Sequence, residues 1–136
     1  MLARNTYEQS YIDGCRKIVD YQVSTYDGVA KATSDEAALG QFQPVFFNNM
    51  VILLDSLFAH RQRGTEGKDG NPINEVTMLR EAMVEHHGVF TENKTMKLKP
   101  ENSVLGIAFG DYVTLSQRQF TKISEAFFKE IEARFA

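Results

Sequence analysis

The chain has 136 residues, 43% of them hydrophobic and 24% charged, with a net charge of −3; that suffices for one core in a single domain, 1–136, and excludes a weakly apolar, disordered chain. The negative balance argues against nucleic-acid binding and against attachment to an anionic membrane, since both need a basic face. The single Cys15 excludes an internal disulfide or a cysteine-rich zinc site and fits a reducing, cytoplasmic setting, and Met1 to Glu8 lack the apolar centre of a signal peptide.

A first long helix is predicted over 5–32, where Ile12, Cys15, Val19, Val23, Tyr26 and Ala30 recur at steps of three and four. Cys15 falls on that stripe and reads as a small core residue. Thr33-Ser34-Asp35-Glu36 has the spacing of a capping box and opens a second helix. Pro44 removes a backbone donor and clashes one turn back, so residues 34–43 are either a separate short helix or the bent first part of the next one.

The next helix is the centre of the chain. Phe46, Phe47, Met50, Leu53, Leu54, Leu57 and Phe58 cover one side of it, and Asn48, Asn49, Asp55, Ser56, His60 and Arg63 gather on the other. A helix apolar over half its girth belongs in a bundle. A structural role is expected for Asn48 and Asn49, because a buried amide without a partner costs about 1–3 kcal/mol. The run 45–59 is too short for a membrane span and carries Asn-Asn and Asp, so no membrane is expected.

Gly64, Gly67, Gly70 and Pro72 then turn the chain. A cap at Asn71 before Pro72, or at Asn74 before Glu75, starts a helix that turns Val76, Leu79, Ala82 and Met83 inward, runs to His87 and stops at Gly88. Thr95-Met96-Lys97-Leu98 and Tyr112-Val113-Thr114-Leu115 alternate like strands, which predicts a small β-hairpin between about residues 94 and 116. Ser116-x-x-Gln119 caps a last helix with Phe120, Ile123, Phe127, Ile131 and Phe135 inward. The fold expected is mainly α: a four- to five-helix up-down bundle with a small hairpin before the C-terminal helix.

Three histidines invite a metal reading. Antiparallel helices place His60 and His86 some 18 Å apart at 1.5 Å per residue, so no metal is expected within one chain; His86 and His87 remain available to a metal shared across an interface. Asp69-Gly70-Asn71 has its glycine misplaced for a calcium loop. No phosphate-binding loop, dinucleotide fingerprint or nucleophile elbow occurs, so no cofactor is expected, and the sequence leaves open whether the chain is an enzyme.

The candidate site is the loop 60–75. His60, Arg61, Arg63 and Lys68 bring positive charge to a helix start whose N–H groups and dipole favour an anion. Asp69, Asn71, Asn74 and an inward Glu75 complete the set, with Glu75 in reach of His60 or Arg63. The same residues also read as ordinary turn and capping chemistry, with Glu75 and Arg63 stapling the corner.

Gly67-Lys68-Asp69-Gly70-Asn71-Pro72-Ile73-Asn74-Glu75-Val76, after His60-Arg61-x-Arg63 and with Ser103-Val104-Leu105-Gly106 and Gly110-Asp111 following, resembles a loop in a family of small bacterial helical proteins. The resemblance covers most of 44–136 and implies a helical fold, with no activity or catalytic residue carried over. The four-helix plan is similar to that of the DinB-like metal-binding bundles, but their spaced histidine triad is missing here. Two functions from different classes follow. One is an interaction protein working as a homo-oligomer, a dimer, through exposed aromatic surface such as Tyr7, Tyr11, Phe42 or Phe90. The other is a small anionic-ligand binder or enzyme, with His60 as acid or base and Arg61, Arg63 and Lys68 holding the substrate.

Overall fold

A computed structural model describes residues 6–62 and 66–136, with residues 59–62 described as backbone alone. Four helices follow one another: α1 (Gln9–Ala32), α2 (Glu36–Gln62), α3 (Pro72–Glu85) and α4 (Gln117–Phe135). Contacts between their ends fix the up-down order. The Tyr7 N–H donates to the Phe135 carbonyl at 2.6 Å, and the Tyr7 hydroxyl donates to the Phe58 carbonyl, so α1 begins where α2 and α4 end. Phe47 packs against Phe120 and Phe58 against Phe127, each pair tilted, which makes α2 and α4 parallel and sets them on the diagonal of the bundle. Between them lies the core: Ile12, Cys15 and Val19 from α1, Phe47, Leu54 and Phe58 from α2, Val76 and Leu79 from α3, and Phe120, Phe127 and Ile131 from α4.

The expected fifth helix is absent among the described residues, because 36–43 and the central run form one continuous α2 with Pro44 inside it. Asp35, not Thr33, caps this helix, its Oδ1 accepting from the Ala38 N–H at 2.9 Å. Interior proline costs a helix about 3 kcal/mol. Rings on both sides of it offset that cost: Tyr26 of α1 stacks on Phe42 before the proline and on Phe46 after it, and meets Phe47 edge-on. As a whole helix rather than the run 45–59, Glu36–Phe58 is long and apolar enough to cross a membrane by length and composition. Here its Phe47, Val51, Leu54 and Phe58 side is core.

The hairpin is also absent. Among the described residues, 86–116 contains no strand, and the one β-bridge joins Val89 to Tyr112. Local bonds take up the backbone groups a ladder would need. Asn93 Oδ1 accepts from the Thr95 N–H and Asn102 Oδ1 from the Lys99 N–H, and Lys97 sits at φ 60, outside extended conformation. Residues 112–115 keep strand-like alternation, with Val113 and Leu115 buried and Tyr112 and Thr114 exposed. Their partner is a side chain. Asn48 Nδ2 donates to the Val113 carbonyl at 2.8 Å, and Asn48 Oδ1 accepts from the Leu115 N–H at 3.1 Å, so one amide of α2 stands in for a neighbouring strand.

Candidate functional site

The turn before α3 folds onto itself. Asn71 is the N-cap and Asn74 the third residue of a reciprocal capping box, so both sequence alternatives are used at once. Asn74 Oδ1 accepts from the Gly70 and Asn71 N–H groups, and its Nδ2 donates to the Gly67 carbonyl. Asn71 Nδ2 donates to the Glu66 carbonyl and to Asp69 Oδ1. Gly67 and Gly70 adopt φ of 79 and 78; at Gly70 a Cβ would also fall 2.8 Å from the Lys97 carbonyl, so the loop rests directly on 97–102.

Arg134, from the end of α4, closes this corner. It reaches Asp69 Oδ2 at 3.1 Å, Glu130 and the Glu66 carbonyl. Asn71 and then Arg134 hold the Asp69 carboxyl below its ordinary range, and Glu130 with Asp69 pushes the Arg134 guanidinium up.

Glu75 projects inward as its register implies and is 1% exposed. Its carboxylate accepts from Ser103 Oγ at 2.9 Å, the Val104 N–H at 2.7 Å and the Leu105 N–H at 3.0 Å. Among the described residues its partners are thus those of the 103–105 turn, and the pairing expected with His60 or Arg63 lies outside the described residues. Of the eight candidate residues, Lys68, Asp69, Asn71, Asn74 and Glu75 are brought together here. The side chains of His60 and Arg61, and all of Arg63, lie outside the described residues. Lys68 pairs with Glu66 at 3.0 Å. Among the described residues no group of three His, Cys, Asp or Glu side chains converges on a point that could hold a metal; His86 caps the end of α3, and His87 stands beyond it at φ 55.

Three features escaped the sequence reading. Asp55, 2% exposed, pairs with Arg80 at 3.1 Å and accepts from Thr77 Oγ1, an ionic link between α2 and α3. The antiparallel register could have found it, since Asp55 and Arg80 are similarly far from the 60–75 turn. The second is a cleft of about 420 Å³ lined by Lys94, Lys97 and Lys99 with the carboxylates of Asp69 and Glu92 and the amides of Asn93 and Asn102; none of these lysines forms an ion pair with another described residue.

The third is a surface. Tyr7 and Phe90, expected outside, are 4% and 1% exposed, because Tyr7 packs on Phe58 and Phe135 and Phe90 on Phe109. Phe42 is exposed as expected, and with it Val45 on α2, Ile18, Tyr21 and Val29 on α1, Val84 on α3, and Phe109 and Tyr112 in the segment before α4. At 100° per residue, Ile18, Gln22 and Val29 share the flank of Tyr11, whose hydroxyl donates to the Leu57 carbonyl of α2. That flank therefore borders α2. The opposite flank of α1 carries Arg16 and Asp27, which bind Glu132 and Gln117 of α4. Along α2 the outward positions are Ala38, Phe42, Val45, Asn49, Ile52 and Ser56, and no residue from Ala37 to Leu54 is charged. Only 22% of that stretch is buried.

No family model matches the chain, and no curated protein or solved structure matches it either.

Proposed function

We propose that the chain is a helical interaction protein that docks a partner on the outward face of α1 and α2. One observation carries this reading: the outward side of α2 is uncharged from Ala37 to Leu54 and largely unburied, with Phe42 46% and Val45 57% exposed, on a chain of which 24% is charged. Scattered exposed apolar residues are ordinary, whereas a continuous patch marks an interaction site. A photo-crosslinking residue substituted at Val45 should yield a discrete protein adduct, and the same residue at Arg118, on α4, should not. Equal labelling at the two positions, or none at Val45, would remove the reading.

A second reading is a small anionic-ligand site at the polar corner. Its support is the cleft where Lys94, Lys97 and Lys99 outnumber the carboxylates Asp69 and Glu92, in a chain of net charge −3. At the helix start Pro72 has no N–H, Asn71 Oδ1 accepts from the Asn74 N–H, and Asn74 Oδ1 accepts from the preceding Gly70 and Asn71 N–H groups, so the lysines would supply most of the attraction. Thermal shifts with phosphate, nucleotides and small carboxylates test it; no shift with any of them rejects it.

A further inference from the structure

The segment before α4 bonds to no strand, so its turns are fixed by its own side chains. Around Lys99 this fixing is tight: its N–H donates to Asn102 Oδ1 at 2.8 Å, and its carbonyl accepts from the Asn102 and Ser103 N–H groups at 3.0 Å. Leu98 and Lys99 thereby line two clefts at once. One is the polar cleft that also holds Lys94 and Lys97. The other is more enclosed, about 360 Å³, with Pro100, Ile107, Ala108 and Phe109 in its walls. Ligand clefts run from about 300 to 1,000 Å³, so each is of a size for a small molecule.

The side chains of the second cleft have little to offer a polar group. Its one hydroxyl, Ser103 Oγ, donates to Glu75 and accepts from the Gly106 N–H. Phe109 is 38% exposed although Phe90 stacks on it at 5.4 Å, so part of the ring is left uncovered. A sugar or a nucleobase placed here would give up hydrogen bonds to water without replacement. An alkyl or phenyl group would give up none, and gains by leaving water.

Lys99 sets the other end of the ligand. It forms no ion pair with another described residue, and a lysine stem lies along apolar surface while its ammonium reaches a charge beyond it. The polar cleft favours one negative charge over two. Asp69 is engaged by Arg134 at 3.1 Å, whereas Glu92 stands in the same wall without an ion pair among the described residues and repels a doubly charged head more strongly than a singly charged one. A carboxylate meets that condition better than a phosphate monoester.

We infer that the corner takes a small amphiphilic carboxylate, with its head at Lys99 and its apolar tail against Pro100, Ile107, Ala108 and Phe109; this deepens the anionic reading above and rests on it. Octanoate is the probe. Titrated into the wild type it binds saturably and moves the amide NMR signals of 97–109, while octanamide, which lacks the charge, and acetate, which lacks the tail, each bind about tenfold or more weakly. Lys99→Gln and Ala108→Phe, both at exposed positions, weaken octanoate by a similar factor with the helical circular dichroism unchanged, the first by removing the charge and the second by filling the cleft. Acetate or inorganic phosphate binding as tightly as octanoate, or octanoate indifferent to Ala108→Phe, overturns the apolar tail and spares the anionic reading. Octanamide binding as tightly as octanoate, or octanoate indifferent to Lys99→Gln, overturns the charged head. Octanoate that moves the signals of 37–54 in place of 97–109 puts the alkyl chain on α2 and overturns the site. No response at 94–109 to octanoate, acetate or phosphate removes both the inference and the reading beneath it.

Discussion

Glu75 shows what one buried carboxylate does in this fold. Its two oxygens take three donors from a turn that has no ladder of its own, and Ser103 Oγ in turn accepts from the Gly106 N–H. Hydrogen bonds to a charged group contribute about 1.5–3 kcal/mol each, and a stranded donor costs as much again. Glu75→Gln keeps the volume, removes the charge and turns one acceptor into a donor aimed at donors. We expect it to lower stability by roughly 2–4 kcal/mol, with amide protection lost first at 103–106. Urea unfolding with hydrogen exchange checks this; unchanged protection in the turn would show that the carboxylate does not hold it. That Glu75 points inward was legible from helical register. Its partner was not, because Ser103 lies 28 residues away across a segment without periodicity.

At the scale of elements, period-two alternation was read as a hairpin and turned out to be an extended segment paired with an amide. Alternation reports which side chains are buried, and Val113 and Leu115 are buried as the pattern says. It does not report what the backbone bonds to. Asn48 answers that with one donor and one acceptor at the spacing of a strand edge. We therefore predict that Asn48→Ala costs about 1–3 kcal/mol by leaving the Val113 carbonyl and Leu115 N–H without partners. Asn48→Asp should cost more, because it keeps the acceptor and sets a carboxylate oxygen against a carbonyl. Equal stability of the two variants in denaturant titrations would argue that water replaces the amide. The helices themselves were legible from caps and stripes, including the box at Ser116 and Gln119. Their merging across Pro44 was not, since the packing of Tyr26 on Phe42, Phe46 and Phe47 that offsets the proline is a tertiary contact.

The bundle as a whole is closed at one end by Arg134 and Asp69 and buttressed along α1 and α2 by Tyr26, and these two places give opposite pH limits. The periodicity that revealed the bundle assigns every apolar residue inward, so the outward face of α1 and α2 could not be read from it; of Tyr7, Tyr11, Phe42 and Phe90, Phe42 alone is classed as exposed. Asp69 has a folded pKa below its ordinary value, from Asn71 first and Arg134 second. Its contribution is present above the unfolded carboxyl pKa of about 3.9 and is lost as pH falls through the lower folded value. Tyr26 has a pKa raised by burial and then by Asp27. Its contribution is complete below the unfolded phenol pKa of about 10 and is lost as pH rises through the higher folded value. Melting temperature should therefore be flat between these windows and fall in both. Asp69→Asn should flatten the acid limb and leave the alkaline one; Tyr26→Phe, which keeps the ring stack, should do the reverse. Both contributions belong to the single chain, so these limbs should keep their positions when protein concentration changes. A melting temperature that rises with concentration while the limbs stay in place would separate self-association from the ionic corner. Limbs that move with concentration would place Asp69, or Tyr26 through the Phe42 ring it stacks on, inside a contact between copies.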